Sequence, residues 1–155
     1  MGYIYSWLSA IYGDGLDYFL WGYDCNAGSY KDGDIYTLIA VISIVIVISL
    51  IFMFYKVIDH PRTSQKWGWF LICGALVSTI NLFVGALWTL SYLNDGQIPQ
   101  CEGFYVTDFN CWMFGVANAI VSFIIYFAMS ALLKRWISKN NKHTPWISKW
   151  GVKTK

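Results

Sequence analysis

The fold of this chain is decided by residues 35–55, which read IYTLIAVISIVIVISLIFMFY and carry no charged side chain. An α-helix needs about 20 mostly apolar residues to cross a bilayer, and this run has that length. In water, so many β-branched residues would favour a β-strand. Within a bilayer, a single segment satisfies its own backbone hydrogen bonds only as a helix. The run therefore predicts a transmembrane helix.

Two further uncharged runs, residues 67–94 and 109–133, meet the same length requirement. The chain has 155 residues, of which 57% are hydrophobic and 13% are charged. Soluble domains carry about 25% charged residues. We therefore predict an all-α integral membrane protein whose three transmembrane helices form one domain over residues 35–133.

The charged residues are distributed unevenly around these three spans. Ten of the eleven Lys and Arg residues fall in the connection 56–66 or in the tail 134–155, and only Lys31 lies elsewhere. Eight of the nine acidic residues lie on the opposite side, and Asp59 is the exception. Because basic loops stay in the cytoplasm, the N-terminus is predicted outside and the C-terminus inside. A plasma or inner membrane suits this arrangement.

Residues 1–34 are predicted to lie outside the cytoplasm. Ile4, Trp7, Leu8 and Ile11 recur at helical spacing, which indicates an amphipathic helix. A turn-rich segment follows and leads to the first span. Two positions for the helix remain open. It lies in the outer membrane interface with its aromatic rings at headgroup depth, or it packs on the protein's own spans or on a partner.

Three cysteines, Cys25, Cys101 and Cys111, fall on the predicted outer side, where disulfides persist. Cys101 and Cys111 bracket a short loop, and we predict a disulfide between them. Cys25 then pairs between subunits or stays free. Redox catalysis is less favoured because the chain has no Cys-x-x-Cys motif.

A layer of polar residues is predicted inside the membrane. Asn81 and Asn118 lie at similar distances along the chain from the cytoplasmic ends of their spans, which places both amides near the bilayer centre. Ser43 falls in the same layer, and Ser122 lies one turn from Asn118. Such residues bond across helix contacts. Packing within one subunit, lining of an oligomeric pore and docking of another subunit all remain open. In the first case we expect the Asn81 and Asn118 amides to pair.

The tail, residues 134–155, is basic and rich in tryptophan. It repeats the tetrapeptide Trp-Ile-Ser-Lys at 136–139 and 146–149. Tryptophans beside lysines are typical of contact with anionic headgroups at a cytoplasmic surface. A nucleic-acid partner is less favoured, because the bilayer is the nearer anionic surface. The residues predicted to make this contact are Trp136, Lys139, Trp146, Lys149 and Trp150.

No Asp, Glu, Lys, Arg or His lies within the predicted spans, which argues against proton relays and ion-coupled transport. The sequence shows no catalytic constellation and indicates no cofactor or metal site. We therefore expect a non-enzymatic membrane subunit that acts through helix–helix association in a larger membrane complex. The alternative is a pore or channel assembled from copies of the chain, and an enzyme ranks last. The plan of three spans and a short basic tail resembles that of three-span phage holins, although the long outer N-terminal segment departs from it.

Overall fold

A computed structural model describes residues 3–24, 28–30, 35–60, 62–96, 98, 105–139, 141 and 143–145, and the protein is mostly helical, at 76%. Three short helices come first, a two-residue β-hairpin follows, and three long helices complete the fold. In chain order the elements are α1 (Tyr3–Ser6), α2 (Ser9–Tyr12), α3 (Asp14–Leu20), β1 (Tyr23–Asp24), β2 (Ser29–Tyr30), α4 (Ile35–Phe52), α5 (Trp67–Asn94) and α6 (Asp108–Ile137).

The three long helices are long and apolar enough to cross a membrane, which confirms the number of predicted long apolar helices. α4 continues as a π-helical turn over Met53–Val57, so the first span reaches Val57. α6 extends to Ile137, one turn beyond the predicted end at Leu133. The tail therefore begins later than predicted, and Lys134 belongs to the last turns of α6.

α5 and α6 approach each other closely at positions without side chains. A Cβ atom on Gly115 would lie 2.6 Å from the carbonyl oxygen of Leu82 and 2.8 Å from the Cβ atom of Ala86. A Cβ atom on Gly74 would lie 2.8 Å from the ring of Phe123. Small residues allow transmembrane helices to come into such contact. Gly74 and Gly115 are therefore used for packing between α5 and α6 within one chain.

The buried apolar side chains form two clusters along the helix bundle. One cluster lies at the predicted outer end and contains Tyr12, Tyr36 and Phe114. The other lies at the predicted cytoplasmic end and contains Tyr55, Phe70 and Tyr126. Between them, α4, α5 and α6 carry the buried residues of the predicted polar layer.

The N-terminal segment differs from the predicted amphipathic helix. It forms three short helices: a turn at Trp7 and Leu8 separates α1 from α2, and Gly13, with φ 92°, separates α2 from α3. Two residues of the predicted apolar face, Ile4 and Trp7, are exposed, at 53% and 90%, whereas Leu8 packs against the outer cluster. The buried face consists instead of Tyr5, Tyr12, Leu16 and Leu20, which pack in the outer cluster. Tyrosine places a ring in the core while its hydroxyl finds a polar partner.

Candidate functional site

The four residues of the predicted polar layer, Ser43, Asn81, Asn118 and Ser122, are all completely buried. They come from all three long helices: Ser43 from α4, Asn81 from α5 and the other two from α6. No edge of this layer reaches the surface of the chain. The polar groups of these four side chains therefore face other parts of the same chain.

Asn118 connects four parts of the fold. Its Nδ2 atom donates a hydrogen bond to the backbone carbonyl of Asn81 at 2.7 Å. Its Oδ1 atom accepts hydrogen bonds from the hydroxyl of Tyr5 at 2.8 Å and from that of Ser43 at 3.2 Å. A single side chain on α6 thus ties together α1, α4 and α5.

The expected pairing of the two asparagine amides is wrong. Asn118 bonds the Asn81 backbone and not its side chain. The Nδ2 atom of Asn81 instead donates to the carbonyl of Val77, one turn earlier on the same helix, at 3.0 Å. Among the described residues, the Oδ1 atom of Asn81 and the hydroxyl of Ser122 have no hydrogen-bond partner. Asn81 therefore contributes little to the contact between helices through its side chain.

A cluster of tyrosine hydroxyls around one carboxylate was not predicted from the sequence. The hydroxyl of Tyr36 donates to Oδ1 of Asp17. The hydroxyl of Tyr12 lies 2.6 Å from that of Tyr36 and 3.2 Å from the same carboxylate oxygen. At the start of α6, Asn110 donates to the backbone carbonyl of Tyr12 at 2.7 Å. These bonds hold the N-terminal helices against the outer end of the bundle.

Burial keeps the hydroxyls of the N-terminal tyrosines protonated. It raises the pKa of Tyr5 to about 12. It also raises the pKa of Tyr12, and the nearby negative charge of Asp17 raises it further. Both groups are therefore neutral at physiological pH. Each keeps the proton that its hydrogen bond requires.

At the predicted cytoplasmic end, Asp59 joins the connection between α4 and α5 to the start of the tail. It accepts hydrogen bonds from the hydroxyls of Ser64 at 3.1 Å and Ser138 at 2.9 Å. It also accepts one from the backbone N–H of Lys139 at 3.0 Å. The hydroxyl of Thr144 adds a bond to the carbonyl of Ser64 at 2.5 Å. The first part of the tail is therefore folded back onto the bundle.

Replacing Asp59 with asparagine should loosen this attachment. Hydrogen bonds to a charged group contribute about 1.5–3 kcal/mol, so tryptic cleavage after Lys139 should rise roughly tenfold. The measurement is limited proteolysis of the purified full chain. The matched control is Thr63→Ala, which removes hydroxyl bonds within the same connection but none to the tail. Equal cleavage rates in both variants would contradict the role of Asp59.

The predicted disulfide is not supported. Cys111 carries a free thiol that is completely buried in the outer cluster. Because this side chain faces the interior of the bundle, it is turned away from solvent, where an outer-loop bridge would form. Cys101 and Cys25 lie outside the described residues.

The structure describes part of the predicted membrane-surface tail. Trp136 lies on the last turn of α6 with 84% of its side chain exposed, and Lys139 is also exposed. Trp146, Lys149 and Trp150 lie outside the described residues. The exposed ring of Trp136 remains available to headgroups, so its membrane contact stays a prediction.

An open apolar cleft of about 770 Å³ lies between α4 and α5. Its base is formed by aliphatic and aromatic side chains, and its outer rim carries Ser91 and Asp95. The base is lined by Ile42, Ile80, Phe83, Val84, Leu87 and Trp88. We refer to this opening as the helix cleft.

The described residues contain no group of three or more His, Cys, Asp or Glu side chains that could hold a metal ion. No protein family matches the chain, and searches of curated proteins and of solved structures found no significant match.

Proposed function

We propose that this chain is a non-enzymatic integral membrane subunit, of a plasma or inner membrane, that binds a transmembrane helix of another protein in the helix cleft. The observation that carries the proposal is the closure of the polar layer within the chain. With Ser43, Asn81 and Asn118 completely buried, the membrane-embedded polar groups are used in the subunit's own fold. The helix cleft between α4 and α5 is left for a partner.

The shape and chemistry of the helix cleft favour a helix as its occupant. Its lining on α5 runs from Ile80 to Tyr92, which corresponds to roughly three to four helical turns, and Asp95 follows just beyond the helix end. Half-exposed side chains such as Phe83 at 47% and Leu87 at 55% form ridges along it. Ridges of this kind pack into the grooves of a second helix. The carboxylate of Asp95 at the rim would suit a basic or hydrogen-bond-donating residue at the partner's outer end.

The alternative function is a pore or channel formed by copies of this chain. A polar lumen would require the polar layer to face a shared axis on the subunit surface. The complete burial of Asn118 and Ser122 supports the subunit proposal over the pore, because copies packed around an axis would present mainly apolar side chains to it.

Site-specific photocross-linking and native mass spectrometry test the proposal. A photoreactive residue at Leu87 in the helix cleft should form a protein cross-link of one discrete heteromeric mass. The same residue at Leu132, which is 68% exposed on α6, should not. Leu87→Trp should lower the yield of the complex purified in mild detergent without changing the stability of the subunit.

Two results would overturn the proposal. Cross-links from Leu87 to lipid alone would show that the helix cleft holds acyl chains. Masses that are multiples of this chain alone would favour the self-assembled pore. The decisive support is a complex rebuilt from the purified subunit and the purified, identified partner, with a yield that Leu87→Trp reduces.

A further inference from the structure

We propose that a second cavity, at the predicted outer end, binds an organic cation of the alkylammonium class. This aromatic pocket has a volume of about 510 Å³ and lies between the N-terminal helices and the β-hairpin. It is lined by Tyr3, Ser6, Asp17, Tyr18, Trp21 and Tyr30. Four aromatic rings and one carboxylate thus converge on a single space.

The rings stand at steep angles to their neighbours and form walls around the aromatic pocket. Tyr3 and Trp21 meet edge to face, with ring centroids 5.2 Å apart. Tyr30 is held by Tyr23 across the β-hairpin at 5.2 Å. An aromatic face is negatively polarised, and several such faces around one space attract a cation with a low hydration cost. Quaternary ammonium groups are bound in aromatic cages of this kind.

Asp17 supplies the negative charge. Both hydrogen bonds that reach it from the described residues, from Tyr12 and Tyr36, end on Oδ1. Among the described residues, Asp17 has no basic partner, and its side chain lines the aromatic pocket. This carboxylate, which lies beside aromatic rings, is therefore suited to bind the cationic group of a ligand.

The residues that line the aromatic pocket indicate which class of ligand it binds. An anion would be repelled by Asp17. Calcium takes six to eight oxygen ligands, mainly carboxylates and carbonyls, and this lining supplies a single carboxylate beside aromatic rings. An alkylammonium group instead uses both the rings and the charge. The pocket opens beside Tyr3, which is 82% exposed, at the predicted outer end of the bundle. Either a lipid headgroup or a soluble amine can therefore reach it.

The test measures choline binding to the full chain in nanodiscs of phosphoglycerol lipid by titration calorimetry. Choline should bind at least about tenfold more tightly than 3,3-dimethylbutan-1-ol, its uncharged isostere, because only choline carries the charge. Asp17→Asn should remove that preference, since asparagine keeps the acceptor for the tyrosines but not the charge. Tyr30→Leu, at a ring outside the tyrosine cluster, should weaken choline binding several-fold.

Asp14→Asn is the matched control. Asp14 is an exposed carboxylate on the same helix that does not line the aromatic pocket, so choline affinity should change less than about twofold. Repeating the titration in phosphocholine nanodiscs distinguishes the two sources of ligand. Weaker apparent choline affinity there assigns the site to lipid headgroups, and unchanged affinity assigns it to soluble amines. Equal binding of choline and the isostere, equal effects of the Asp14 and Asp17 variants, or no choline binding in either lipid would overturn the proposal.

Discussion

Replacing Asn118 with leucine should lower the free energy of unfolding by about 2 kcal/mol, since hydrogen bonds within membranes contribute about 0.6 kcal/mol each on average and this side chain makes three. The loss also leaves the buried hydroxyl of Tyr5 and that of Ser43 without their acceptor. The measurement is equilibrium unfolding in mixed detergent and SDS micelles, followed by circular dichroism. The N-terminal helices should also become easier to digest, because Tyr5 is anchored through Asn118.

Asn81→Leu is the matched control at the same depth. Its side chain bonds only its own helix, and its Oδ1 atom has no partner among the described residues. We expect a change of less than about 0.6 kcal/mol. Because Asn118 bonds the backbone of Asn81 and not its side chain, the losses of the two single variants should add in the double variant. A larger loss for Asn81→Leu, or strong coupling between the two substitutions, would indicate that the amides pair.

The three spans could be predicted from the sequence because the bilayer imposes a simple rule. A long uncharged run has to satisfy its backbone internally, and this requirement overrides the β-branched composition of residues 35–55. The depth of Ser43, Asn81 and Asn118 followed from helix geometry alone. The hydrogen-bond partners of these residues could not be predicted in this way. They depend on how each helix is rotated about its axis and on segments that are far away in the sequence. Tyr5, the partner of Asn118, lies 113 residues away.

The N-terminal segment shows a second limit. The spacing of Ile4, Trp7, Leu8 and Ile11 predicts an apolar face toward lipid, the protein's own spans or a partner, but it does not identify the tyrosines as core residues. Tyr5 and Tyr12 are seven residues apart, a spacing that places two side chains on one helical face, and this was the available signal. The sequence also held a signal for the contact between the tail and the connection at the predicted cytoplasmic end. Asp59 is the exception among the acidic residues, and it bonds both Ser64 and Ser138.

Replacing Gly115 with alanine should lower the free energy of unfolding by about 2 kcal/mol, the middle of the range for overpacked cores. The new methyl group would lie 2.6 Å from the carbonyl oxygen of Leu82, a backbone atom that moves only if α5 and α6 separate. This loss should exceed the gain of about 1 kcal/mol that alanine brings to a helix. SDS-driven unfolding of the full chain measures it.

Gly68→Ala is the control for helix propensity, because a Cβ atom there meets no other atom within 4 Å. That variant should be as stable as the parent or slightly more stable. Gly74→Ala should fall between the two, since its obstacle is the end of the Phe123 ring, a side chain that is able to turn. The order Gly68, Gly74, Gly115 therefore measures how rigidly α5 and α6 are held together. Equal stability of all three variants would show that the two helices separate at little cost, and that the close approach at Gly115 does not hold the subunit together.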